Sequence, residues 1–296
     1  MRDFTVLSYK RMLRTLLVQG FSFQSFEEFL INPNERGIVL RHDVDRLPEN
    51  SLKTAQLEAS LGIRGSYYFR MVPCSYNEAI IRAIARLGHE VGYHYETMDS
   101  ARLKDKSIGL EDKSKKLKDK RIEKEEGSEW HIDVAYVEFC ENLELLRKIV
   151  PVTTICMHGS PRSQFDNRDI WKSYDYRKLG IVGEPYFDVD FNKVFYLTDT
   201  GRRWNGHRFS VRDKMPQQEQ WNREGLNFRT TSHIIRAAES GKLPNQIMIT
   251  IHPQRWNNGL LPWIKELVLQ NIKNVVKWGV IWVRNGRRRK QEKANG

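Results

Sequence analysis

The run Gln246-Ile247-Met248-Ile249-Thr250-Ile251-His252 constrains the fold more than any other segment. It is apolar at nearly every position, so it leaves no face for solvent. It falls far short of the ~20 apolar residues that cross a bilayer. A strand buried on both faces of a parallel sheet reads this way. The run ends on a histidine. The same pattern recurs where Gly37-Ile38-Val39-Leu40 leads to Asp43, where Glu90 leads to His94, and where Val152-Thr153-Thr154-Ile155-Cys156-Met157 leads to His158. Gly65-Ser66-Tyr67-Tyr68-Phe69 is a further strand candidate.

Segments of helical spacing alternate with these runs. Phe4, Leu7, Met12, Leu13, Leu16 and Leu17 place a helix over 4–18, and the aromatic-rich stretch Phe21 to Leu30 reads as a short helix capping one end of the fold. A helix from Pro48 to Leu61 stops at Gly62. Ser75-x-x-Glu78 reads as a capping box opening a helix that ends at Gly88. Residues 132–149 are helical through Ile132, Val137, Leu143, Leu146 and Ile149, and Pro151 ends them. Later helices are expected at Thr231–Ser240 and Pro262–Lys277, and strands near 180–182, 186–189 and 194–197. Residues 101–127 are dense in Lys, Glu and Asp and read as an exposed helix or a mobile insertion. Residues 160–178, polar and aromatic, read as a loop over a site. Repeated β-then-α units predict an α/β fold with parallel strands inside and helices outside. There is no internal repeat and no glycine-rich phosphate loop.

Composition limits the function classes. The 296 residues are 40% apolar and 11% aromatic, enough for a sizeable core. No apolar run is long enough to span a membrane, and no basic segment leads into an apolar stretch at Met1, so a cytoplasmic protein is expected. The 3 cysteines, Cys74, Cys140 and Cys156, lie far apart without zinc spacing and read as reduced packing residues. The formal charge is +12, part of it in a tail carrying Arg287-Arg288-Arg289-Lys290 and Lys293. No nucleic-acid motif accompanies that tail, so no nucleic-acid partner is expected, while contact of the tail with an anionic surface remains open.

The chemistry sits at the ends of the strands. Asp43, Asp45, His94, His158 and His252 each fall at the carboxyl end of an expected strand, where parallel α/β folds build their sites. Side chains at i and i+2 of a strand point the same way, so Asp43 and Asp45 share a side and His42 faces the other. Two carboxylates side by side persist if a cation lies between them or one keeps a proton, which points to a metal site or an acid–base site. Imidazole and carboxylate donors together suit one divalent ion, Zn²⁺ first, with Fe²⁺, Co²⁺ and Mn²⁺ as alternatives. A carboxylate left free of the ion can take a proton from water, and a histidine opposite can protonate a leaving group.

These residues carry a family resemblance. Leu40-Arg41-His42-Asp43-Val44-Asp45, Gly65-Ser66-Tyr67-Tyr68-Phe69, Gly88-His89-Glu90-Val91-Gly92-Tyr93-His94 and Ile249-Thr250-Ile251-His252-Pro253 stand in the order of the motifs of polysaccharide deacetylases of the NodB homology type, carbohydrate esterase family 4. Within that family the chain resembles a WbmS-like branch linked to bacterial surface-glycan loci. The shared features are His94-Tyr95-Glu96, His158-Gly159-Ser160-Pro161 and Asp199-Thr200-Gly201-Arg202-Arg203-Trp204. The resemblance implies a distorted (β/α) barrel of about seven parallel strands over 37–285, behind a helical extension over 1–36 and ahead of a flexible basic tail over 286–296. It implies Asp43 as catalytic base, Asp45 and His94 as metal ligands, and His252 as catalytic acid. The implied activity is metal-dependent removal of an N-acyl group, N-acetyl first, from an amino sugar of a surface-glycan precursor such as O-antigen. The alternative is an inactive barrel that binds glycan or scaffolds glycan assembly.

Two departures from the family pattern concern the site. Met98 stands where a second metal histidine is usual, and a thioether is a poor ligand beside oxygen donors. His158 is therefore favoured as third ligand, with Glu96 next and Asp99 after it. His158 stands about where the family's base-orienting arginine is usual, with Arg162 just beyond, so His158 is either the third ligand or the replacement for that arginine. Tyr95, Asp199, Arg203 and Trp204 are the candidate substrate-binding residues, Trp204 being equally suited to packing, and Trp256 is read as a packing residue.

Overall fold

The computed structural model describes residues 2–101, 123–159, 165–205 and 215–275, with side chains in 123–130 left aside. The strands are β1 (Ser22–Gln24), β2 (Gly37–Val44), β3 (Ser66–Phe69), β4 (Glu90–Tyr95), β5 (Ile155–Met157), β6 (Phe195–Thr198) and β7 (Gln246–Ile251). All their pairings are parallel, in the order β5-β4-β3-β2-β7-β6, and β1 joins β2 ahead of β3. The sheet curls into a half-barrel flanked by helices, consistent with the distorted (β/α) barrel that the resemblance implies. Among the described residues no ladder joins β5 to β6.

The helices are α1 (Val6–Val18), α2 (Phe26–Ile31), α3 (Pro48–Ala59), α4 (Glu78–Arg86), α5 (97–101), α6 (Glu123–Arg147), α7 (Pro185–Asp188), α8 (Gln218–Arg223), α9 (Thr231–Glu239) and α10 (260–275). Local chemistry sets their ends. Pro48 opens α3, where its missing N–H costs nothing. Gly62 lies beyond it at φ 69°, a left-handed conformation that glycine takes without penalty. Thr230 accepts from the His233 N–H to cap α9.

Several element expectations are corrected. Phe21 to Leu30 is a strand followed by a helix. β1 pairs with Gly37–Val39, and Ser25 and Glu28 form a capping box that starts α2. Ser75 does not cap α4; Asn77 does, accepting from the Ile80 N–H, while Ser75 bonds the Val44 carbonyl and the Arg70 N–H. The strands expected near 180–182 and 186–189 are absent. Gly183 makes one bridge to Thr154, and Pro185 begins the single turn of α7, capped by Glu184. Short apolar pieces flanked by Gly and Pro do not hold a ladder. The charged segment 102–122 and the tail 286–296 lie outside the described residues.

Register sorts the strands' side chains into two sets. Outward residues such as Leu40, Val44, Val91, Tyr93, Ile249 and Ile251 are buried under helices. Inward residues are unusually polar. Arg41 aligns with Ser66 and Thr250, and Asp43 aligns with Tyr68, itself aligned with Gly92. His42 points outward, as its position next to Asp43 requires. It stacks on Tyr67 at 3.9 Å between ring centroids and lies 2.8 Å from the fully buried Glu58. Tyr9 and Tyr67 also donate to Glu58, so this carboxylate ties α1, α3, β2 and β3 together.

Candidate metal centre and acid–base pair

β2 ends with its inward side chains at the open carboxyl end of the half-barrel. Asp43 is buried, and Arg41 Nε and Nη2 donate to its two oxygens at 3.0 Å each. The fork comes from two positions back on the same strand, the spacing that puts both side chains on one face. Burial alone would raise the Asp43 pKa. Arg41, with His94 and His252 nearby, outweighs it and holds the carboxyl below its ordinary range.

Asp45 follows one residue beyond the strand and divides its oxygens between two sets of neighbours. Oδ1 lies 3.8 Å from His94 Nε2 and 3.6 Å from His158 Nε2. Oδ2 accepts from Gln254 Nε2 at 3.0 Å and lies 3.9 Å from His252 Nε2. Burial opposes its ionisation, but His252, His158, His94 and Arg255 together keep it strongly ionised.

The other ring nitrogen of each histidine facing Oδ1 lies close to an oxygen. His94 Nδ1 meets the Cys156 carbonyl at 2.9 Å, and an oxygen with no proton fixes that nitrogen as the donor. His158 Nδ1 lies 2.9 Å from Glu96 Oε2. Glu96 is in turn gripped by Arg70, whose Nε and Nη2 donate at 2.9 and 2.7 Å. Burial raises the Glu96 pKa, but His158 and Arg70 overcome it and bring it down to about 2. His94 is pushed down to about 4, by burial first and by His158, against the pull of Asp43 and Asp45. A neutral imidazole with its Nε2 lone pair free is the ligand form.

Asp45, His94 and His158 form one of the donor groups close enough to hold an ion; each offers an atom within 4.8 Å of the others. Bonds of 2.0–2.1 Å in a tetrahedron put ligand atoms roughly 3.4 Å apart. The observed 3.6 and 3.8 Å are too long for hydrogen bonds and close to that edge, so the donor set fits a small divalent cation. Asp43, His94 and Cys156 form a second grouping, but Arg41 already occupies both Asp43 oxygens. Glu96, Asp99 and His158 form a third, in which Glu96 is committed to Arg70.

Across from this triad, His252 stands at the end of β7. Its Nδ1 lies 2.6 Å from Asp199 Oδ1, and its backbone N–H donates to Asp199 Oδ2 at 3.0 Å. Arg255 and Trp256 Nε1 also donate to Asp199, at 2.7 and 2.8 Å. Burial and Arg255 press the His252 pKa down. Asp199 prevails and raises it above the ordinary histidine value.

Of the four candidate substrate-binding residues, Tyr95, Asp199 and Trp204 are buried and Arg203 is half-buried. Tyr95 is adjacent to His94 and so points outward, among Phe139 and Trp171, whose Nε1 donates to its hydroxyl at 2.9 Å. Asp199 is fully buried beneath His252 and acts on that ring. Trp204 packs against Phe4 and Trp256 and donates to Thr231. Arg203 donates to Asn205 at 3.0 Å. Met98 is buried with the core and Trp256 packs on Tyr9. Arg162, Ser160 and Pro161 fall outside the described residues. Sequence reasoning missed Arg41, Arg70, Gln254 and Arg255. Only Arg41 carried a local signal, its i−2 spacing from Asp43.

The fold and site together define an α/β half-barrel with a carboxylate–imidazole cluster at the carboxyl ends of its strands. No protein-family model, curated protein or solved structure matched the chain.

Proposed function

We propose that this protein is a metal-dependent hydrolase that removes an N-acyl group, N-acetyl first, from an amino sugar of a bacterial surface-glycan precursor in the cytoplasm, in the manner of the polysaccharide deacetylases. The observation that carries the reading is the pairing of two separately clamped groups around one donor triad. Asp43 is fixed by Arg41 and His252 by Asp199, and Asp45, next but one to Asp43 and 3.9 Å from His252, groups with His94 and His158. A divalent cation at the triad, Zn²⁺ in the first instance, would polarise the acyl carbonyl and make water acidic enough to attack it. Asp43, held ionised, accepts the proton of the attacking water. His252, held protonated, gives its Nε2 proton to the departing amine nitrogen, and Asp199 stabilises the imidazolium until then. Met98, the position that favoured an inactive barrel, is buried in the core, and His158 Nε2, 3.6 Å from Asp45 Oδ1, is close enough to serve as a third donor.

The test uses protein stripped of metal, reloaded with Zn²⁺ and assayed for acetate release from N-acetylated amino-sugar oligomers. Asp43→Asn retains stoichiometric zinc and loses roughly 10²–10⁴-fold in turnover. His94→Ala loses both. Full zinc content in His94→Ala, or no acetate release from any zinc-loaded preparation across a panel of N-acylated sugars, overturns the reading in favour of a glycan-binding or scaffolding barrel.

A further inference from the structure

Helix α10 is built inside out. Its polar side chains Glu266, Gln270 and Asn274 are the buried ones. Glu266 pairs with Arg46 at 2.5 Å, and Asn274 Nδ2 donates to the Gly201 carbonyl at 3.0 Å. Its outer side carries Leu261, Ile264, Val268, Ile272 and Val275 at helical spacing, with Leu261 81% and Val275 68% exposed. Among the described helices, none is long and apolar enough to cross a membrane. An apolar stripe of this length on a polar-backed helix is a surface for lying against something.

We infer that the outer face of α10 docks the protein onto an anionic lipid bilayer. Charge selects this occupant over a second copy. Lys265 falls within the stripe, at i+4 from Leu261, so pairing two copies through it would bring like charges together on chains that each carry +12. The same lysine suits anionic headgroups. The sequence beyond 275 continues with Trp278, Ile281 and Trp282 and then Arg287-Arg288-Arg289-Lys290, apolar-aromatic followed by polybasic, the composition of a membrane-surface element. The bonds of the buried side of α10 to Arg46, next to Asp45, and to Gly201, two residues after Asp199, anchor the helix to the segments that carry the cluster and leave the apolar face turned away from them. The inference stands apart from the hydrolase reading, because docking is measured without turnover.

Co-sedimentation of the full chain with phosphatidylcholine vesicles, with and without about a third phosphatidylglycerol, tests it. The protein sediments with the anionic vesicles, and a Leu261→Asp/Val268→Asp double variant loses roughly tenfold or more in bound fraction. Both side chains are exposed, so the variant's melting curve overlays the wild type. Lys265→Glu, which leaves the apolar stripe whole, also weakens binding to anionic vesicles. Wild-type protein left in the supernatant, or undiminished binding by the double variant, overturns the proposal. So does a concentration-dependent dimer that the double variant disperses in the absence of vesicle binding, which assigns the face to a second copy.

Discussion

Three charged groups of the cluster each have a close partner of opposite sign. Asp43 has Arg41, Glu96 has Arg70, and His252 has Asp199. Removing one member of such a buried pair leaves its partner uncompensated, at a cost of about 3–5 kcal/mol. The pairing of His252 with Asp199 gives the clearest functional prediction. Asp199 raises the pKa of His252, and in the proposed reaction the protonated ring is the acid. Hydrolysis therefore falls as pH rises through that raised value. Asp199→Asn removes the anion, lowers the histidine pKa and moves the alkaline limb of kcat/KM to lower pH, with roughly 10²–10⁴-fold less activity at neutral pH. A pH–rate profile on zinc-loaded enzyme checks this; an alkaline limb that stays in place removes His252 from the role of acid.

At the level of the strand, the period of two explains both what the sequence discloses and what it conceals. Apolar runs ending in Asp or His mark strand tips, so Asp43, Asp45, His94, His158 and His252 were readable from the chain. The same period places Arg41 beside Asp43 and turns Tyr95 away from His94. The clamp of Asp199 on His252 was not readable, because it depends on β6 lying against β7, a pairing between distant segments. Nor were the elements of 180–189, where Gly183 and Pro185 override short apolar pieces. Gly92 shows how tightly β4 is fitted. A Cβ there would sit 2.3 Å from Tyr68 Cε1 and 2.9 Å from the Thr154 carbonyl. The Tyr68 ring is itself pinned by a 2.9 Å bond to Thr154 Oγ1, so little can give way. Gly92→Ala should destabilise the fold by about 1–3 kcal/mol. Because His94 is two residues on, the variant also binds zinc more weakly. Thermal melting and zinc titration together check this, and an alanine variant that matches wild type in both shows that the close fit is not needed.

Across the whole molecule, the triad links the end of β2 to the β4–β5 pair, with which β2 shares no ladder. Asp45 extends β2, His94 lies in β4 and His158 follows β5, with β3 between the first two. The barrel is open between β5 and β6 among the described residues, so the strand ends depend on the helices and on these side chains to keep their spacing. A cation at the triad binds the folded arrangement and has no such site in the unfolded chain, where the donors are scattered from 45 to 158. At zinc concentrations about a hundred times Kd, mass action adds roughly 2.7 kcal/mol to the native state. For a chain of this length that raises Tm by roughly 4 °C. Chelation reverses the rise. Asp43→Asn keeps it, because Arg41 rather than the ion holds that carboxylate, while His94→Ala and His158→Ala abolish it. Calorimetry of the four proteins with and without zinc separates the ligand set from the proton-transfer set without reference to any substrate. A zinc-dependent rise that survives both histidine substitutions places the ion elsewhere in the fold.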